Sequence, residues 1–404
     1  MTDLDIAPTG GPRAGAAPES RPAPELARVA ARLGAEADQR RDELDANCRI
    51  PHDLYLAAAR AGLFRQLVGD DLGGAGRSPL DWFLNGVELA RHDASFGWVV
   101  TQGAAELGWI AAGGHPDWAR AVLDDPVATS ASSTAGLGRM ATGDRSARFG
   151  GRWGFNTGCQ GATWIGGLAL LDGATNADGT PRTRWGWVPA DRARIVADWD
   201  PTGLRGTGSH TTVIEQQEIP LEWTFDPMEP TDTVRGAHRC VVGNGNWPIA
   251  TAVAATQIGN ARRAIDEARA VVMTKTRVPD MIPLHRLADT QRELVLIEGL
   301  WQAATAAVER ALESMWAEAA VRGELSTEQR VHLHTANVAA DRLGVEIVDR
   351  ACIVSGSAAL PRRSVLGRCR RDAHALHRHI ATGSASIEAN AQMSLAMADR
   401  HILV

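Results

Sequence analysis

From about Asn246 almost to its end, the chain repeats apolar residues with the period of an α-helix, in segments too long to stand alone. Ile249, Val253, Ile258, Ala261, Ile265, Ala268 and Val272 trace one face of a first helix. Leu294, Ile297, Trp301, Ala304, Val308 and Leu312 trace a second, over Leu287 to Met315. Val331, His334, Val338, Leu343, Val345 and Ile347 trace a third, over Thr327 to Ile353. Further helices are expected around His379 and from Ile387 to Met397. Long helices with one apolar stripe bury it only against each other, which predicts a four-helix bundle over 239–404.

The rest of the chain reads differently. Residues 25–125 are helical in pattern: Leu26, Val29, Leu33 and Ala37, then Pro51 at a helix start, then apolar runs through Trp82 and Trp98 to Trp109. The glycine-rich GDDLGGAG at Gly69 to Gly76 lacks the Gly-Lys-Ser/Thr of a phosphate loop and is read as a turn. After Pro126 short runs alternate with Gly, Asp, Asn and Thr: VATSASS, ARFGGRWGFNTG, TWIGGLALL, RTRWGWVP, RIVADW and TTVIEQQEIP. These are strand signals at close spacing and predict a β domain over 126–238. Residues 1–24, rich in Pro, Ala and Gly, read as a disordered tail. The fold class is therefore α+β, mostly α.

Composition excludes several functions. A net charge of −6 gives no general attraction to nucleic acid or anionic membrane. No apolar run reaches membrane-spanning length. The five cysteines are scattered with no C-x-x-C pair, so a disulfide framework or zinc site is not expected and the chain reads as cytoplasmic. No metal site is expected. No G-x-G-x-x-G follows a strand, so no NAD(P)H site is expected either.

Three imidazoles fall within Arg371-Asp372-Ala373-His374-Ala375-Leu376-His377-Arg378-His379. If the helix ran through, Asp372, Ala375, Leu376 and His379 would share a face, with His374 and His377 a second pair. Such groups can hold or lend a proton near neutral pH. On its own the stretch reads equally as a solvated basic helix.

Together with two other motifs, it resembles the acyl-CoA dehydrogenase superfamily. These are Gly151-Arg152-Trp153-Gly154-Phe155-Asn156-Thr157-Gly158 and Trp199-Asp200-Pro201-Thr202-Gly203-Leu204-Arg205-Gly206-Thr207-Gly208-Ser209. The resemblance implies an N-terminal helical domain, a central β-barrel-like domain, a C-terminal four-helix bundle, a flavin between the last two, and a homotetramer. Dehydrogenase members carry a Glu just after the RD helix or at the start of the bundle. Here those places read His379-Ile380-Ala381-Thr382-Gly383-Ser384 and Trp247-Pro248-Ile249, with no carboxylate.

RDAHALHRH is instead similar to the pattern of flavin-dependent monooxygenases on this fold, the oxygenase components of two-component systems that hydroxylate hydroxyphenylacetate and hydroxyphenyl-steroids. Trp153 to Gly158 and the serines Ser130, Ser132 and Ser133 match the same branch. The resemblance implies reduced FMN or FAD delivered by a separate flavin reductase, and reaction with O₂ at the flavin C4a carbon to give a hydroperoxide that hydroxylates a small, aromatic or polyketide-like molecule. It places His379 near C4a, Thr157 near N5 and Ser132 in the substrate pocket. It also suggests Arg277 and Arg371 for the flavin, with Gln291 a weaker candidate, and Trp153, Phe155 and Trp164 for the isoalloxazine or pocket wall. Glu106 stands where phenol hydroxylases of this branch carry His. An ionised Glu106 would oppose a phenolate and favour an amine or amino sugar, so N-oxygenation is one alternative. The other is an acyl-CoA dehydrogenase or oxidase with a displaced base, Glu388.

Overall fold

The computed structural model describes residues 24–74, 76–176, 179–227, 238, 241–242, 245–399 and 401–404. The tail expected over 1–24 lies outside them apart from Pro24. Six helices come first: α1 (Pro24–Gln39), α2 (Arg41–Asn47), α3 (His52–Arg60), α4 (Pro79–His92), α5 (Ala94–Gly113) and α6 (Pro116–Leu123). The start of α5 is set by Asp93, whose Oδ1 accepts from the Phe96 amide at 2.9 Å, an N-cap. Along α5 every residue but Trp109 is buried. A helix apolar all round belongs in the middle of a protein, and α5 is packed between α4, the sheet and the bundle.

Seven strands follow: β1 (Ser130–Thr142), β2 (Ser146–Asn156), β3 (Trp164–Thr175), β4 (Pro181–Pro189), β5 (Arg194–Val196), β6 (His210–Pro220) and β7 (Thr224–Phe225). All six runs read as strands from the sequence contribute one. The sheet order is β5-β6-β2-β1-β3-β4-β7, with β1 and β3 parallel and the other pairs antiparallel. Its core holds Met140, Phe149, Trp153, Ile165, Val188 and Ile214.

The C-terminal helices are α7 (Trp247–Thr274), α8 (Ala288–Arg322), α9 (Thr327–Ser355), α10 (Val365–Leu376) and α11 (Ser384–Ser394). A two-residue-per-strand hairpin, β8 (Thr276–Arg277) with β9 (Ile282–Pro283), joins α7 to α8. The first three helices fall where the apolar period placed them. The helix expected around His379 ends earlier, at Leu376. His377 caps it, and His379 opens a short 3₁₀ turn, Ile380–Thr382. The proposed shared face of Asp372 and His379 therefore does not form. Among the described residues no helix is long and apolar enough to cross a membrane.

Candidate active site

A cavity of about 500 Å³ opens where α5, the inner face of the sheet and the end of α10 meet. One face of α5 runs along it. Trp98, Gln102, Glu106 and Trp109 are spaced by four, four and three residues, the spacing that stacks side chains on one side of a helix. At 1.5 Å per residue this stripe is roughly 16 Å long, so the cavity has two distinct ends.

The first end is organised by Trp98. Its indole Nε1 donates to Thr157 Oγ1 at 3.1 Å, and its ring meets the His379 imidazole edge-on, centroids 5.1 Å apart. Behind Thr157 lies a chain of hydroxyls. Thr157 Oγ1 is 2.9 Å from Ser209 Oγ, which is 2.7 Å from Thr207 Oγ1, which donates to the Leu204 carbonyl at 2.9 Å. A carbonyl cannot donate, so the single proton of Thr207 is committed to it. Ser209 must then donate to Thr207, and Thr157 to Ser209. With its proton spent and one lone pair taken by Trp98, Thr157 presents an acceptor to the cavity.

His379 presents the opposite. Its Nδ1 accepts from the Ala381 amide at 3.2 Å. Burial lowers its pKa to about 4, so the ring is neutral. A neutral imidazole accepting at Nδ1 carries its proton on Nε2. Nε2–H is thus the free donor on a residue that lines the cavity.

The turn holding Thr207 and Ser209 is fixed from α10. Leu204 has a left-handed backbone, φ 54°, and its amide donates to Asp372 Oδ1 at 2.6 Å. At Gly203 a Cβ would lie 2.1 Å from the Arg371 carbonyl oxygen, so only glycine allows this approach. Arg368 joins Asp372 at 3.7 Å, Asp45 at 3.1 Å and Asp93, the cap of α5, at 2.8 Å. Three carboxylates around one cation leave negative charge in excess, and burial raises Asp372 to about 7.

The second end is aromatic. Trp109 tilts against Trp185 at 5.4 Å, Trp185 stacks on Trp187 at 5.4 Å, and Trp187 on Phe225 at 5.2 Å. Between the two ends lies Glu106, 1 % exposed. It accepts from Gln102 Nε2 at 3.0 Å and from Ser130 Oγ at 3.4 Å, and Ser130 in turn accepts from Trp187 Nε1. Burial raises its pKa to about 8, so it is a neutral acid at pH 7. That corrects the expectation built on an ionised Glu106: it offers no negative charge to an ammonium group.

The residues singled out in the sequence divide accordingly. His379, Thr157, Ser132, Glu106 and Phe155 come together in the cavity. Phe155 is held there by a bulge in β2, between the pairs at Trp153 and Asn156. Its φ of 54° turns the ring out, 66 % exposed and edge-on to Trp199. Trp153 does not join them. Strand alternation sends it into the sheet core, where Nε1 donates to the Leu168 carbonyl at 2.9 Å. Trp164 is also elsewhere, packed edge-on against Trp118 and Trp223. Arg277 sits on the β8–β9 hairpin, paired with Asp280. Arg371 reaches the Arg362 carbonyl, and Gln291 the His285 carbonyl. Glu388 is exposed on α11 outside the cavity. His374 pairs with Asp349, and His377 with the fully buried Asp341 at 2.8 Å. Sequence reasoning missed Trp98, Gln102, Thr207, Ser209 and Trp185; the four-residue spacing from Trp98 to Glu106 was the available signal.

Two family profiles match the chain: "Acyl-CoA dehydrogenase, N-terminal domain" over residues 25–128 and "Acyl-CoA dehydrogenase, C-terminal domain" over residues 251–384. The chain belongs to the acyl-CoA dehydrogenase family. Within it, the relatives are monooxygenases. Indole-3-acetate monooxygenase of Acinetobacter baumannii is 24% identical over 86% of this chain and 87% of its own. The flavin-dependent monooxygenase oxygenase subunit HsaA of Rhodococcus jostii is 26% identical over 85% and 91%. Among solved structures, XiaF from a Streptomyces species, in complex with FADH2 and glycerol, superposes with a TM-score of 0.83 at 20% identity, covering 93% of this chain and 96% of its own. The branch expected from RDAHALHRH is therefore the one its relatives occupy, and the dehydrogenase alternative is not favoured.

Proposed function

We propose that this acyl-CoA dehydrogenase family member is the oxygenase component of a two-component flavin-dependent monooxygenase, taking reduced FMN or FAD from a separate reductase and hydroxylating a small aromatic molecule. One observation carries the reading: Trp98 holds an acceptor, Thr157, and a neutral donor, His379, side by side at one end of the cavity. The residues there fit a flavin. Thr157 keeps a lone pair for a ring N–H, and Phe155, Trp199, Leu204 and Ile380 supply flat apolar surface. Bound reduced flavin supplies the two electrons with which O₂ is split into one atom for the substrate and one water.

The chain's own residues have three tasks. Thr157 would accept from the N–H at N5 of a bound reduced flavin and, with its proton committed to Ser209, would not compete as a donor. His379 offers Nε2–H to a developing oxygen charge without bringing a positive charge of its own. The apolar walls exclude water, which would otherwise carry protons to the reacting atoms. The one carboxyl among the described cavity-lining residues, Glu106, is held neutral by burial and does not offer the base a dehydrogenase needs.

Assembly as a homotetramer is part of the proposal. Val278 and Met281 on the hairpin and Val295 and Leu296 on α8 are large, apolar and exposed. Arg277 lies among them, and the flavin phosphate assigned to it would have to come from a neighbouring subunit's site. The test is to mix the protein, loaded anaerobically with reduced FMN or FAD, with oxygen and an aromatic substrate panel. Hydroxylated product with less peroxide than free flavin releases is expected. Reoxidation at the free-flavin rate with no product, and bleaching of the oxidised form by an acyl-CoA, would overturn the reading.

A further inference from the structure

The inner half of the cavity carries unsatisfied acceptors that the oxygen chemistry does not use. Gln102 is 6 % exposed, and its Oε1 has no hydrogen-bond partner. Ser132 is 3 % exposed, and its Oγ reaches no group other than the Glu106 carboxyl. Both line the cavity together with Glu106. Buried polar atoms are rarely left unpaired, because each costs about 1–3 kcal/mol without a partner. Such atoms beside Glu106 imply that something else completes them.

The shape of that place restricts what enters. On one side are the indoles of Trp109 and Trp185, with Leu168 and Phe225 beside them, so the ligand is flat and apolar over most of its area. The two indoles tilt against each other at 5.4 Å and present bicyclic faces, which suit fused rings better than a single one. The only cation among the described lining residues is Arg378, exposed beside His379 at the opposite end. Among the described lining residues, none at the inner end neutralises an anion.

We propose that Glu106, Gln102 and Ser132 form a specificity site for a neutral fused-ring aromatic whose polar edge donates one hydrogen bond, from a ring N–H or a phenolic O–H. The inference rests on the monooxygenase reading for its reaction but not for its binding. Glu106 acts here as a recognition residue: it accepts the substrate's donor, and Gln102 and Ser130 hold the carboxyl in place. With no cation among the described residues at this end, a carboxylate lying in this orientation would go unbalanced.

The experiment compares two matched pairs by calorimetry on the full chain carrying reduced FMN under anaerobic conditions, where no turnover occurs. Indole is set against N-methylindole and 2-naphthol against 2-methoxynaphthalene; each pair keeps the rings and removes the donor. The donor-bearing member of at least one pair is expected to bind tenfold or more tightly, and the pair that shows it tells N–H from O–H. In Glu106→Leu the difference should shrink below threefold while the methylated ligand binds at least as well as before. Glu106→Gln, nearly isosteric and still an acceptor, should retain part of the discrimination and serves if the Leu variant does not fold. Equal affinities within both pairs, or binding of none of the four, overturns the proposal. So does discrimination that survives both substitutions. Admitting oxygen afterwards separates the two readings. Discrimination without any hydroxylated product leaves the recognition site standing and removes the monooxygenase. Product without discrimination does the reverse.

Discussion

Asp372 Oδ1 accepts the Leu204 amide at 2.6 Å, across 168 residues of chain. That bond joins the RD motif of α10 to the glycine-rich turn before β6. Leu204 in turn anchors Thr207, and through Ser209 it orients Thr157. The two motifs are thus one device, which holds a hydroxyl in a set direction at the cavity.

Removing Asp372 should therefore be felt as stability and as cofactor affinity. Asp372→Ala leaves the buried Leu204 amide without an acceptor, a loss of about 1–3 kcal/mol, while Arg368 keeps Asp45 and Asp93. Asp372→Asn keeps the acceptor for Leu204 and should cost less. Denaturant unfolding with bound flavin measured alongside gives both quantities. Equal stability of the Ala variant and the native chain would refute the clamp.

The hydroxyl chain makes a second prediction. Thr157→Val, with nearly the same volume, removes the acceptor of Trp98 Nε1 and the lone pair facing the cavity. More peroxide should be released per flavin oxidised, by roughly tenfold if about 1.4 kcal/mol of stabilisation is lost. Thr157→Ser should restore coupling. Ser209→Ala frees the Thr157 proton to point into the cavity and should fall between the two. Peroxide and product quantified in single turnovers decide it, and an unchanged ratio in the Val variant would take Thr157 out of the mechanism.

His379→Ala should lower product formation on the order of 10²-fold, the usual cost of one preorganised donor, with little change in folding. Its pKa, about 4 rather than 6.5, gives a stability signature as well. The unfolded chain binds a proton at His379 that the folded chain refuses. The residue's contribution is intact above pH 6.5 and is lost as pH falls from 6.5 towards 4. Comparing unfolding free energies of the native chain and the Ala variant at pH 7.5 and pH 5 should show the native chain losing more. Parallel losses would contradict a neutral imidazole in the folded chain.

Glu106 has the reverse sign. Its pKa is raised from 4.5 to about 8, so the folded chain holds a proton that the unfolded chain gives up. The contribution is complete below pH 4.5 and is lost as pH rises towards 8. Glu106→Gln cannot ionise and should be more stable than the native chain at pH 8 by up to a few kcal/mol, with the advantage shrinking by pH 5. Thermal midpoints across that range are sufficient, and an advantage independent of pH would show that Glu106 is not protonated by its burial.

Much of the architecture was legible because it depends on periodicity. The bundle helices and six strands follow from where apolar residues recur, and tertiary packing only trimmed their ends. The helix through His379 failed for a local reason. Nothing in Ala375-Leu376-His377-Arg378-His379 forbids a helix, but the chain turns there so that His379 can cap the Ile380–Thr382 turn. Five proposed site residues meet in the cavity: Phe155, Thr157 and His379 from turns and bulges in the motifs, Glu106 from α5 and Ser132 from β1. Trp153 and Phe155 are two residues apart, and strict alternation would put them on the same face. A bulge separates them, sending one to the core and the other to the cavity rim. Arg277 and Arg371 are cations with nearby partners of their own, and no spacing rule distinguishes such pairs from a phosphate site. Trp98 and Gln102 were hidden by the uniform burial of α5, which masks the stripe that faces the cavity.

The concentration of indoles along that stripe has a practical side. The chain has thirteen tryptophans and one tyrosine, so its ultraviolet emission is nearly all indole. Trp98, Trp109, Trp185 and Trp199 line the cavity. Any molecule entering displaces solvent from their faces, and a yellow chromophore among them drains their excited states. The unlabelled protein therefore carries its own optical gauge of occupancy, readable at dilutions where heats of binding vanish.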